Sequence, residues 1–210
     1  MTIKRLHHYN AVFLLLFIVA HITNHMIGLV GIENHIAIMD MLRVVYRVQV
    51  IEIAVFILFF SQIALGLGLI LKRGMPRVRW AWIQAISGVY IAFFFLLQHL
   101  SAVIMMRLTY AQLDTNFYWA ASVVQANPMG WYFFPYYAFG IMSIFAHLTA
   151  AIHFRWPDAV ILRPVLLASG VVLGLAIPAS LIGSFYEVSL PQEYLDYLRD
   201  TYPSWLVTQN

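Results

Sequence analysis

The chain has no cysteine among its 210 residues, which excludes disulfides, iron–sulfur clusters and thiolate metal ligands. Charge is scarce as well: Asp, Glu, Lys and Arg make up 10% of the residues, against about a quarter in a soluble domain. Low-complexity segments and convincing internal repeats are missing, and no stretch is left over for a second folded domain. Apolar side chains fill the chain instead, at 62% of residues, and this balance describes an integral membrane protein. The formal charge of +3 gives no reason to expect a nucleic-acid partner, because charge in a membrane protein reports orientation.

Five apolar stretches are long enough to cross the roughly 30 Å hydrocarbon core as helices of about 20 residues. They lie near 9–30, 48–71, 80–106, 131–154 and 160–183. The expected fold is therefore all-α, a five-helix bundle in the bilayer over residues 1–186. A polar extracytoplasmic tail follows at 187–210, where Glu193, Asp196, Arg199 and Asp200 rule out a sixth span. One side of the bundle collects Lys4, Arg5, Lys72, Arg73, Arg77, Arg79, Arg155 and Arg163, and the other only Arg43, Arg47, Arg107 and Arg199. Positive residues stay inside, so the expected topology is a multi-pass protein of a bacterial inner membrane, N-terminus cytoplasmic and C-terminus outside. The opening KRLHHYN and its apolar run also resemble a signal peptide cleaved after Ala20, although His21–Gly31 continues the span.

Against this apolar background the stretch A-H-I-T-N-H-M-I-G, Ala20 to Gly28, carries two histidines and an asparagine on one helical turn. At 1.5 Å per residue, His21 and His25 lie toward the outer end of the first span, and His99 lies at the same depth in the parallel third span. His147 falls in the inner half of the fourth span, level with Gln62 of the second. An ionisable side chain within a span is a functional hypothesis by default. The simpler reading is an interhelical hydrogen bond. Imidazoles at matched depth across a four-helix interior, with no thiolates or membrane carboxylates nearby, suit a bis-histidine haem b, whereas a zinc site needs four compact ligands. His7, His8 and His35 read as interfacial, with no chemistry assigned. Small residues around Gly66, Gly68, Ser87 and Gly88 leave room for a flat macrocycle or serve as packing contacts.

The order of R-L-H at the start, His21 fourteen residues later, Q-A-I-S-G opening the third span, His99 and I-F-A-H in the fourth resembles a known family. It is that of the single-chain, five-helix, di-haem cytochrome b membrane anchors of succinate dehydrogenases and fumarate reductases. The resemblance runs from about Arg5 to Gly183. A closer likeness is to the cytochrome b-like membrane domain found on some bacterial class III adenylyl cyclases, carried by AHITNHMIGLVGIE, LKRGMPRVRWAWIQ, AHLTAAIHF and PASLIGSFYE. Two departures stand out: the cyclase catalytic domain is absent, and so is a helix that would return the chain to the cytoplasm. A split component, a truncated domain or a stand-alone relative would each account for that.

The resemblance implies that His21 and His99 are the axial pair of an outer haem, with His25 as competitor. It implies that His147 is a ligand of an inner haem whose partner comes from the second helix, where this chain offers Gln62, a poor iron ligand. One haem b is expected and a second is open: the inner site is empty, five-coordinate or completed by His153, which faces some 120° away from His147 on an ideal helix. Asn24 orients an imidazole or reaches a propionate. Arg43, Arg47 and Arg107 pair with propionates or anchor the interface. Glu52, His153 and Glu33 are candidates for proton handling beside a quinone. The leading functional expectation is a haem-binding membrane cytochrome that passes electrons between quinone and a soluble redox partner. The alternatives are a haem- or quinone-responsive sensor or anchor working with a cyclase-like partner, and a haem-free structural anchor. No catalytic domain is seen, and oligomerisation is left open.

Overall fold

A computed structural model describes residues 2–74 and 76–208. Thr2 opens α1 (Ile3–Ile27) by accepting the Arg5 amide at its hydroxyl. A 3₁₀ turn extends this span to Val30, and Gly31, at φ 153°, then turns the chain into α2 (Ile32–Tyr46). A residue with a Cβ would be strained there. The second span is α3 (Gln49–Arg73), which stops at Gly74 with φ 68°. The third is one continuous helix in three parts: α4 (Arg79–Val89), a π-helical segment (Tyr90–Leu96) and α5 (Leu97–Thr109). After α6 (Phe117–Gln125) come the fourth span, α7 (Gly130–Arg155), and the fifth, α8 (Leu162–Leu181). The chain then forms α9 (Gln192–Thr201). Strands β1 (Asn127–Pro128) and β2 (Val207–Thr208) pair antiparallel.

All five expected spans are present as helices long and apolar enough to cross a membrane, and the protein is an all-α multi-pass bundle. Its outward faces carry exposed Leu16, Val50, Leu71 and Ile161, a surface suited to lipid. Within the bilayer region the helices form two groups. In one, α8 lies tightly on α7, and α7 on α4; in the other, α1 lies along α3. Small residues permit the closest approach. A Cβ at Gly170 would stand 2.5 Å from the Cβ of Phe145, and one at Gly174 2.8 Å from the Ala138 carbonyl oxygen. Without a hydrophobic drive between helices in lipid, such close packing is what holds them together. The two groups touch only lightly, and the histidines lie along that seam.

The face opposite the N-terminus carries a folded cap built from α2, α6, α9 and the strand pair. Its core joins Phe117, Trp119, Val123, Tyr194 and Leu198 to Met106 and Leu181 from the ends of the spans. The region expected to be a polar tail supplies part of this core. Tyr194, Tyr197 and Leu198 line one face of α9 and are buried, while Glu193, Asp196 and Asp200 face outward. Each such burial is worth about 1.5–3 kcal/mol. Residues 209 and 210 of that expected tail, and Met1 of the expected 1–186 domain, lie outside the described residues.

Candidate functional site

The outer site grows from one face of α1. Residues four apart on a helix stand above one another, so His21 and His25 meet, with their Nε2 atoms 3.3 Å apart. The π-helical segment hands the chain to α5, where His99 faces His21 across the seam with ring centroids 6.0 Å apart and planes inclined at 72°. Stacking fixes both rings: Phe17 lies parallel to His21 at 5.5 Å, and Phe95 parallel to His99 at 5.4 Å. His21, His25 and His99 are half-buried.

The expectation that His35 is interfacial does not hold. It is 3% exposed, because α2 folds back over the end of α1 and drops this imidazole beside His25, ring centroids 5.3 Å apart. Gly28 makes room: a Cβ there would stand 3.2 Å from His35 Cδ2. Asn24, also buried, places its amide nitrogen 3.1 Å from His35 Nε2. An amide nitrogen only donates, so Nε2 accepts and Nδ1 carries the proton. That Nδ1 and Asn24 Oδ1 are both buried with no hydrogen-bond partner among the described residues. Burial, and secondarily the nearby Arg43 cation, lowers the His35 pKa to about 4. The signal in the sequence was the I-E-N-H turn directly after a helix-breaking glycine.

These residues can be tested against a haem b. Two metal–imidazole bonds of about 2 Å each, plus the two ring radii, put axial imidazole centroids about 6 Å apart; His21 and His99 stand at that separation. The unpaired atoms of Asn24 and His35 are polar groups still seeking partners beside the pair. The residues fit the group.

The arginines are engaged elsewhere. Arg43 is nearly buried and bridges α2 to the loop before α6, with Nη1 2.9 Å from Asp114 Oδ1 and Nη2 donating to the Thr115 carbonyl at 3.1 Å. Arg47 approaches the same carboxylate at 3.7 Å, and Arg107 pairs with Glu52 across α5 and α3. Glu33 is exposed in the first turn of α2.

Deeper in the bundle, His147 Nδ1 lies 3.0 Å from the Gln84 carbonyl oxygen. A carbonyl only accepts, so Nδ1 carries the proton and Nε2 keeps its lone pair, the tautomer that metal-ligating histidines show. Gln62, expected opposite His147, instead bonds within the other helix group: its Oε1 accepts from Asn10 Nδ2 at 2.6 Å and its Nε2 donates to His7 Nε2 at 3.1 Å. His7 is half-buried against the second span, whereas His8 is exposed. His153 stacks on Trp80 at 4.8 Å and accepts from Arg163, apart from His147. Among the described residues, neighbouring side chains occupy the space beside the small residues. Gly66 receives the His7 ring, Gly68 the Ile3 side chain and Gly88 the His147 ring. Set against protein-family models, curated proteins and solved structures, the chain matches none.

Proposed function

We propose that the chain is a b-type membrane cytochrome, holding haem b between α1 and α5 and passing electrons between a quinone pool and a soluble partner. The observation that carries this is the His21–His99 pair, facing across the seam of a membrane bundle at the separation two axial ligands require. Bound haem would supply one-electron chemistry, its potential set by axial ligation and burial. The chain's own residues would do the rest. Phe17 and Phe95 hold the two imidazole planes. His25 stands one turn away as the alternative donor. Asn24 and His35 offer a hydrogen-bond donor and an acceptor beside the ligands. The distribution of basic residues supports a bacterial inner-membrane location with the cap outside. The visible absorption spectrum of the purified chain, before and after dithionite, tests this. A reduced low-spin b-type spectrum is the expected outcome, and a protein that stays colourless when haem is supplied would defeat the proposal.

One observation favours a sensory reading. His35 belongs to the cap yet sits against the histidines of the span, so a change in the cap is passed directly to the site. Co-purification separates the two roles: a flavoprotein or iron–sulfur partner supports electron transfer, and a cyclase-like partner supports sensing.

A further inference from the structure

We propose that Tyr136 and Gly140 of α7 are positioning residues for the outer site: they seat Phe95, and Phe95 holds the plane of the His99 imidazole. The inference rests on the cytochrome reading and extends it to a helix that supplies neither histidine of the outer pair.

The residues fall on one ridge. Tyr132, Tyr136 and Gly140 follow one another at intervals of four, so they line one face of α7. That face lies against the third span where it widens into the π-helical segment. Tyr132 reaches across to Gln98, whose Oε1 accepts from its hydroxyl at 2.5 Å. Tyr136 is buried and donates its hydroxyl to the Phe95 carbonyl at 3.1 Å. Its ring also lies against that of Phe95, with centroids 5.1 Å apart. Gly140 completes the seat by having no side chain. A Cβ there would stand 2.8 Å from Phe95 Cγ and closer still to Cδ2 and Cε2, nearer than van der Waals contact allows.

Phe95 passes this placement on. Its ring lies parallel to that of His99, with centroids 5.4 Å apart and planes inclined at 15°, and the His99 plane stands at 72° to that of His21. The last torsion of a histidine side chain is broad, so the backbone alone does not fix the plane of the ring. A stacked neighbour does. Phe95 is buried, and α7 engages both its carbonyl and its ring. The hydrogen bond holds the backbone of Phe95, and the gap at Gly140 holds its ring. Losing either frees the surface on which His99 stacks. Widened turns of this kind are found mostly at functional sites, and here the neighbouring helix braces the one that carries the imidazole.

The test uses the full-length purified chain reconstituted with ferric protoporphyrin IX, read by electron paramagnetic resonance and by haem per protein. The outer signal is the one that His99→Ala removes. In a bis-imidazole haem the largest g-value rises as the two ring planes approach perpendicular, and 72° is already close to that limit. A freed ring therefore lowers it. Gly140→Ala and Phe95→Leu should each lower the largest g-value of the outer signal with haem per protein unchanged. Tyr136→Phe keeps the ring, loses the hydroxyl, and should give a smaller shift in the same direction. Because Gly140 acts through Phe95, Gly140→Ala should add nothing in a Phe95→Ala background. An outer signal unmoved by Gly140→Ala and Phe95→Leu would overturn the proposal and leave the cytochrome reading standing. So would a full further shift from Gly140→Ala in the Phe95→Ala chain, or variants that lose haem while the remaining signal keeps its wild-type g-values. A wild-type chain that binds no haem would defeat the cytochrome reading itself, and this role with it.

Discussion

The Nε2 atoms of His21 and His25 lie 3.3 Å apart on consecutive turns of α1, and the His21 ring also lies 6.0 Å from that of His99. In that contact one Nε2 donates its proton to the other, and only one imidazole can take a given axial position, so α1 presents a ligand and an understudy. His99→Ala should abolish the outer low-spin spectrum while the protein still inserts. His21→Ala should do the same or give a shifted low-spin signal in which His25 takes over, and His25→Ala should keep the wild-type signal. If His99→Ala retains a full bis-histidine spectrum, the assignment of the outer pair is wrong.

Gly88 offers a second check that removes no imidazole. An alanine there places its Cβ within van der Waals overlap of the His147 ring. Overpacking of this kind costs about 1–3 kcal/mol, relieved by turning the ring away from Gln84. The expected result for Gly88→Ala is a lower thermal unfolding temperature with the outer haem signal unchanged. An unaltered unfolding temperature would show that the ring has freedom to move.

The ion pair between Arg43 and Asp114 joins α2 to the loop before α6, and so holds His35 in place. Asp114→Ala leaves the nearly buried Arg43 guanidinium with the exposed Asp40 carboxylate at 3.4 Å, a loss of about 1.5–3 kcal/mol for a charge-assisted bond. Limited proteolysis from the outer face should then cut the cap faster than in wild type. Lys72, at the far end of α3, gives the control substitution with no change.

Tyr194 sits inside the cap with its hydroxyl donating to the Asp114 carbonyl at 2.9 Å. Burial, then the charges of Asp114 and Glu193, pushes its pKa up to about 12. For an acid whose folded value is raised, the unfolded chain releases the proton first. The cap should therefore be unaffected up to about pH 10 and weaken between pH 10 and 12, the window between the unfolded and folded values. Tyr194→Phe should cost about 1 kcal/mol at neutral pH and shift this alkaline transition upward. Tyrosine fluorescence followed against pH measures both.

Topology is open to a clean label because the chain has no cysteine of its own. Lys72→Cys should be protected from a membrane-impermeant maleimide added outside, and Asp200→Cys should react with it. Labelling of Lys72→Cys from outside would invert the orientation.

The spans were legible because length and apolarity alone decide whether a helix can cross a bilayer. The cap was not, since the charges of its last helix look like a solvated tail. The spacing of Tyr194, Tyr197 and Leu198 nonetheless marks an apolar face, and that face is buried. Matched depth was enough to pair His21 with His99. It failed for Gln62, because depth says nothing of rotation and that side chain points toward Asn10 and His7. His7 was obscured by the adjoining Lys4 and Arg5, and His35 by its place outside any span.

The π-helical turn between Val89 and Leu97 sets the azimuth of everything beyond it. A widened turn accommodates one residue more than the regular spiral, and each residue is worth about 100° of rotation. If Tyr90–Leu96 closed into a regular α-spiral without losing a residue, His99 would swing by about that angle relative to Gly88. Its imidazole would then leave the seam while Gly88 kept its place against His147. The widened turn thus works as an indexing step on one shaft, setting the bearing of His99 independently of the half-helix that packs on α7.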